Sequence, residues 1–320
     1  MRARSLATFG FLAACAAGSA LVRAGQQPPP QGVGQMPSAL PLTAPVRERG
    51  SSVTPAYEGW YYEKDGSIRL LVGYFNRNTK QEFDIPVGPN NRVEPGGPDM
   101  GQPTHFGPGR GWGVFSIPVP KDFGEKKLTW TIVANGFTNT ITLHTKPDYI
   151  VEPYGDAANK NTPPTLKFSE SGAPFAGAPK GIAEKYTAAV NVPLAISVWA
   201  SDEGPKINIP EARGRGRGRG AETGGEPGGR GTGRGNAAAP EFTPPPPLVV
   251  TWSKYRGPGD VKFDNVKPAI DKASGKATVN VTFASAGDYV LRVEGNDSTG
   301  VGGGGFQCCW TNAHVAVTVR

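Results

Sequence analysis

Cysteine, methionine and histidine are scarce in this chain, at three each in 320 residues, which leaves little material for thiol or imidazole chemistry. Two of the cysteines, Cys308 and Cys309, are adjacent, so they cannot close an ordinary loop between distant parts of one chain. The histidines stand alone at 105, 144 and 314, without the paired imidazoles or repeated CxxC that mark a metal site, and no metal or cofactor is expected. GxSxG, HExxH and P-loop patterns are missing, and the GxGxxG-like pieces between Gly214 and Gly235 belong to a Gly-Arg repeat rather than a strand-turn-helix. Only chemistry that needs no local signature survives this screen, such as two-carboxylate glycoside hydrolysis. Charged residues at 19 % and hydrophobic residues at 37 % are too few for a helical bundle or coiled coil.

Glycine and proline are abundant instead, 45 and 32 residues, close to the ~25 % at which part of a chain is expected to be unstructured. Residues 1–24 read as an export signal. Met1 to Arg4 is basic, Leu6 to Val22 is apolar and small, and Val22-Arg23-Ala24 suits a signal peptidase. The rival reading is a lipoprotein anchored through Cys15, because Leu12-Ala13-Ala14-Cys15 resembles a lipobox. Either way the destination is secreted or periplasmic, with no membrane-spanning run beyond the signal region. Losing Arg2, Arg4 and Arg23 lowers the formal charge from +7 to +4, too mild for a dedicated nucleic-acid surface, so no nucleic-acid partner is expected.

Residues 25–50, rich in Pro, Gln and Gly, form a flexible spacer. Residues 51–153 carry short apolar runs, at Ile68 to Phe75, Gly113 to Val119, Leu128 to Val133 and Thr138 to His144, between Gly, Pro and Asn clusters; this is a small β-rich domain with long loops. Aromatics gather at Tyr57, Trp60, Tyr61, Tyr62, Tyr74 and Phe75, either as core or as a platform for a sugar or peptide. The Gly-Pro-rich stretch from Asp99 to Gly111 holds His105 and Arg110, with Glu82, Asp84 and Glu94 upstream. Trp60, Tyr61, Tyr62, His105 and Arg110 are therefore the candidate ligand-binding residues, and none is assigned a catalytic role.

Residues 154–184 read as a linker, and from 185 to 320 a period of two takes over. Leu194, Ile196, Val198 and Ala200 share a face, as do Val279, Val281 and Phe283, then Tyr289, Leu291 and Val293, then Val315, Val317 and Val319. Such segments bury their apolar sides only when two sheets pack face to face. Residues 205–247 interrupt this pattern with an Arg-Gly tract. Six arginines meet four glutamates between Glu211 and Glu241 with no interleaved aromatic, the mark of a disordered insertion. Cys308 and Cys309 leave several alternatives: a vicinal disulfide, free thiols, a bond to another chain, or a soft metal shared with His314.

The order PLAISVWASDEG, LVVTWSKYRGPGDVKF, GKATVNVTFASAGDYVLRVEGNDSTG and AHVAVTV resembles the bacterial PKD-type, immunoglobulin-like modules of secreted proteins. The resemblance implies that Trp252 is the sandwich tryptophan of the third strand, that Tyr289 forms the tyrosine corner, and that Leu291 replaces the cysteine of antibody domains, so the inter-sheet disulfide is absent. The fold class is then all-β: two antiparallel β-sandwich-like domains, the second Ig/PKD-like with a long insertion. The expected function is an exported, non-catalytic binding or scaffolding protein of the bacterial envelope, its partner an envelope polysaccharide or another secreted protein. The alternative is a carbohydrate-binding or hydrolytic protein acting through the aromatic first domain.

Overall fold

In the computed structural model, residues 47–155, 160–204, 248–297 and 309–320 are described. The signal and spacer segments with Cys15, the Arg-Gly insertion and Cys308 lie outside the described residues.

The first sandwich is built from eight strands. β1 (Val53–Tyr62), β2 (Ile68–Asn76) and β6 (Gly109–Val119) form one antiparallel sheet; β4 (Asn91–Glu94), β7 (Leu128–Ala134) and β8 (Phe137–Leu143) form the second. β3 (Phe83–Asp84) and β5 (His105–Phe106) pair as a short ribbon. Asn135 and Gly136, at φ +50° and +76°, close the β7–β8 hairpin in the two-residue turn whose twist matches the flanking strands. Leu70, Val72, Phe106, Phe115, Trp130 and Ile132 meet between the sheets, each at most 2 % exposed.

The stretch Leu70 to Val72 is apolar and buried at every position because β2 is covered on both sides there. Leu70 and Val72 face the first core, whereas Leu71 turns the other way and packs with Tyr61, Ala178 and Trp310.

In the second sandwich, β9 (Thr165–Lys167), β10 (Phe175–Ala176), β12 (Leu194–Ser201), β14 (Val261–Phe263) and β15 (Lys276–Phe283) form a five-stranded sheet in the order β10-β9-β12-β15-β14. β11 (Ile182–Ala188), β13 (Leu248–Arg256), β16 (Gly287–Asp297) and β17 (Trp310–Val319) form the other, in the order β11-β17-β16-β13. All pairings are antiparallel except β11 with β17. Lettered in chain order, β9-β12-β15-β14 is A-B-E-D and β17-β16-β13 is G-F-C, the two sheets of an immunoglobulin domain. Along β15, Ala277, Val279, Val281 and Phe283 are buried while Lys276, Thr278 and Asn280 are exposed, so the period-two reading holds. Trp252 lies on strand C at 1 % exposure, and the Tyr289 hydroxyl donates to the Ser285 carbonyl at 2.9 Å, forming the tyrosine corner. Leu291 sits fully buried two residues on.

One expectation needs correction. The span 154–184, read as a linker, contains β9, β10 and the start of β11, with Leu166 and Ala178 fully buried. Strands of two or three residues between Gly and Pro are too short to display alternation, and their apolar residues are therefore invisible to a periodicity test.

The two sandwiches meet along a mixed polar and apolar seam. The outer face of β17 supplies Trp310, Asn312 and His314, all buried. The Asn312 amide donates to the carbonyls of Trp112 and Gly113 at 2.9 and 3.1 Å, and His314 Nε2 lies 2.9 Å from the Val114 carbonyl, which makes Nε2 the protonated nitrogen. Tyr255 packs on the His314 ring with centroids 4.1 Å apart, and its hydroxyl donates to the Gly101 carbonyl. The Trp310 ring lies against Gly113, where φ is +48° and an added Cβ would fall 1.9 Å from the ring. The Asn312, His314 and Tyr255 donors each meet a carbonyl of the other sandwich, which matters because an unpaired buried polar group costs ~1–3 kcal/mol.

Candidate binding surface

The five residues singled out from sequence fall in three separate places. Trp60, 6 % exposed, fills the first core, and its indole N–H donates to the Lys146 carbonyl at 2.7 Å. Tyr62 follows it at the rim, 54 % exposed and edge-on to Trp60 with centroids 5.2 Å apart. Tyr61 points to the opposite face of β1 and is buried edge-on against Tyr154.

His105 and Arg110 belong to the seam. His105 Nδ1 lies 3.1 Å from Asp84, whose other neighbour is Lys254 of the second sandwich at 2.8 Å. Glu82 approaches Nε2 at 3.6 Å. Arg110 donates to Glu58 at 2.6 Å and to the Tyr74 carbonyl at 2.8 Å, and its guanidinium lies 4.1 Å from the centre of the Trp112 ring. Glu58 sits at the bulge between Tyr57 and Gly59 and also accepts the Gly113 N–H. Burial pushes its carboxyl up to about 7, against the pull of Arg110 and that N–H. Glu94 pairs instead with Arg92 at 2.9 Å on the surface.

The structure assembles a different aromatic group around Trp60. Tyr57 stacks on Tyr149 at 5.8 Å, and both rings stand edge-on to His144, at 5.0 and 4.6 Å. The Tyr57 hydroxyl donates to the His144 carbonyl, and burial raises its pKa. Gly59, at φ +116°, lets this segment approach: a Cβ there would lie 2.5 Å from the Tyr149 carbonyl. Tyr149 remains 48 % exposed and Ile150 51 %, so the stack opens to solvent. Beside it is a cleft of about 430 Å³ bordered by Gly124, Glu125, Lys127, His144, Thr145, Lys146 and Pro147. Partial burial lowers the His144 pKa, and the charges of Lys146 and Lys127 lower it further. The sequence reading missed His144, Tyr149, Lys127 and Lys146. Tyr57 and His144 are 87 residues apart, and no local pattern joins them.

No protein-family model matches the chain, and no curated protein matches it. Among solved structures, domains 4 and 5 of the S-layer protein SbsC align over 84 % of this chain and 98 % of theirs, at 11 % identity and a TM-score of 0.22. A titin Ig tandem aligns over 84 % of this chain and 99 % of its own, at 10 % identity and a TM-score of 0.21. Likeness at that level carries no functional conclusion; the fold rests on the strand order and buried faces given above.

A larger groove, about 1030 Å³, lies at one end of the second sandwich between residues 199–202, 248–249 and 267–275, beside both points at which the insertion joins. Among the described residues no group of three His, Cys, Asp or Glu is placed to hold a metal, and no helix is long and apolar enough to cross a membrane. Cys309 is disulfide-bonded and buried at φ +81°. Cys308, the other member of the expected pair, is outside the described residues.

Proposed function

We propose that the chain is an exported, non-catalytic binding or scaffolding protein of the bacterial envelope. The observation that carries this reading is the commitment of the titratable groups of the seam. Asp84 of the first sandwich pairs with Lys254 of the second and with His105, while Arg110 and Glu58 pair with each other within the first, Glu58 also accepting the Gly113 N–H beneath Trp310. Groups so paired hold a tandem in one arrangement, which is what a spacer or display module requires. The basic and then apolar opening residues support export. The test is to incubate purified protein with envelope polysaccharide, ester and peptide substrates while measuring co-sedimentation and product release. Co-sedimentation without product is expected. Turnover that disappears in His105→Ala or Glu94→Ala would overturn the reading.

A second reading, carbohydrate binding through the first sandwich, is favoured by one specific arrangement, the half-exposed stack of Tyr149 on Tyr57 beside His144. Flat rings with polar edges suit the apolar faces of sugars.

A further inference from the structure

We infer that the cleft between His144, Lys127 and Lys146, together with the Tyr149 ring that packs on its His144 wall, binds a carboxylate-bearing sugar residue of an acidic polysaccharide. The inference rests on the carbohydrate-binding reading and narrows it to one place and one ligand class.

The size is right. A volume of about 430 Å³ falls in the lower part of the ~300–1,000 Å³ range of small-ligand sites, enough for a sugar ring or two rather than an extended chain. The charge is one-sided. Lys127 and Lys146 border the cleft, both exposed, and Glu125 is the one acid on its wall. Neighbouring Lys126 pairs with Asp122 at 3.7 Å, whereas no ion pair engages Lys127 or Lys146 among the described residues. Two unneutralised ammonium groups beside one small cleft call for an anion.

Hydrogen-bonding capacity is also set. The Lys146 backbone N–H donates to His144 Nδ1 at 3.3 Å, so the ring proton resides on Nε2, where it is a donor. Both lysine charges favour that neutral form. The Thr145 hydroxyl is already spent on the Gly124 carbonyl at 2.7 Å and contributes shape instead. Glu125 supplies an acceptor for sugar hydroxyls.

The aromatic component separates a sugar from a simple polyanion. Tyr149 is braced from behind by Tyr57 and from the side by His144, yet nearly half of it faces solvent. A ring held in this way loses little freedom when a pyranose stacks on it, and such pre-organisation favours binding. A polyphosphate has no apolar face to use that ring.

The test uses the full-length protein in calorimetric or NMR titrations with galacturonic acid tetramer, galactose tetramer and a polyphosphate of matched charge. Binding of the uronate at low salt is expected, weakened at least tenfold in Lys127→Gln/Lys146→Gln and in Tyr149→Ala, with circular dichroism unchanged. Lys127→Gln alone, at an exposed site, keeps the test informative should Tyr149→Ala unfold the stack. Equal affinity for galactose tetramer overturns the acidic specificity, and equal affinity for polyphosphate overturns the sugar. Uronate binding that survives all these variants overturns the location while carbohydrate binding stands. Failure to bind either sugar overturns both.

Discussion

Replacing Gly113 by alanine tests whether the two sandwiches are locked together as described. At φ +48° any L-residue pays a left-handed backbone penalty of ~1–2 kcal/mol, partly offset by the ~0.4–1 kcal/mol gained from restricting the unfolded chain. The new methyl would also lie 1.9 Å from the Trp310 ring and under 3 Å from two more of its atoms. That ring is 2 % exposed and packed with Tyr61 and Leu71, so it has no free direction of retreat. Forcing an extra methyl into such packing costs ~1–3 kcal/mol more. Gly109→Ala is the matched control. It lies on the same strand at φ +83° with nothing within 4 Å of an added Cβ, and so reports the backbone part alone. Urea denaturation followed by tryptophan fluorescence should place Gly113→Ala about 2–4 kcal/mol below wild type and Gly109→Ala within about 1 kcal/mol of it. Equal losses in the two variants would mean that Trp310 does not rest on β6, and the rigid tandem would have to be abandoned.

Protonation gives further checks. Burial holds His314 neutral by lowering its pKa to about 3, so the unfolded chain takes up a proton that the folded chain refuses as pH falls below 6.5. Stability should drop by up to ~1.4 kcal/mol per pH unit from that group, and His314→Gln should flatten the loss when denaturation midpoints are compared at pH 7 and 5. Glu58 acts in the opposite sense: its folded pKa is raised from 4.5 to about 7, so its contribution is full below 4.5 and is lost as pH rises through 7. Arg110→Ala leaves that carboxylate buried without its cation, at ~3–5 kcal/mol near pH 8 and much less near pH 5; the same loss at both would refute the pairing. Tyr289→Phe removes one hydroxyl from the E–F corner and should cost about 1 kcal/mol in chemical denaturation, with the strand content unchanged by circular dichroism.

The second sandwich was readable because its core alternates in long strands. Val279, Val281 and Phe283, or Tyr289, Leu291 and Val293, reveal their buried side without any knowledge of partners. The seam was not readable, for a related reason. Asn312 and His314 occupy the polar register of β17, which in a linear pattern looks like a solvent face; they are buried because the other sandwich brings carbonyls to meet them. Arg110 likewise looked available for a ligand, but the bulge in β1 turns the Glu58 carboxylate inward to pair with it. Of the candidate surface, Trp60 and Tyr62 were anticipated. The stack that gives them a neighbourhood depends on the return of the chain at Lys146 to Ile150 onto β1, a contact set by tertiary packing alone.

Because β17 is the floor of one sandwich and the docking surface of the other, synthesis and assembly are out of step. The first sandwich has all of its strands by Leu143, but the face bearing Tyr61 and Leu71 waits for Trp310 to be made. At ~5–20 residues per second that delay is on the order of ten to thirty seconds, during which an apolar sheet stands open to other nascent chains. A chaperone that shields this face until the last strand arrives would find its work defined by a single late tryptophan.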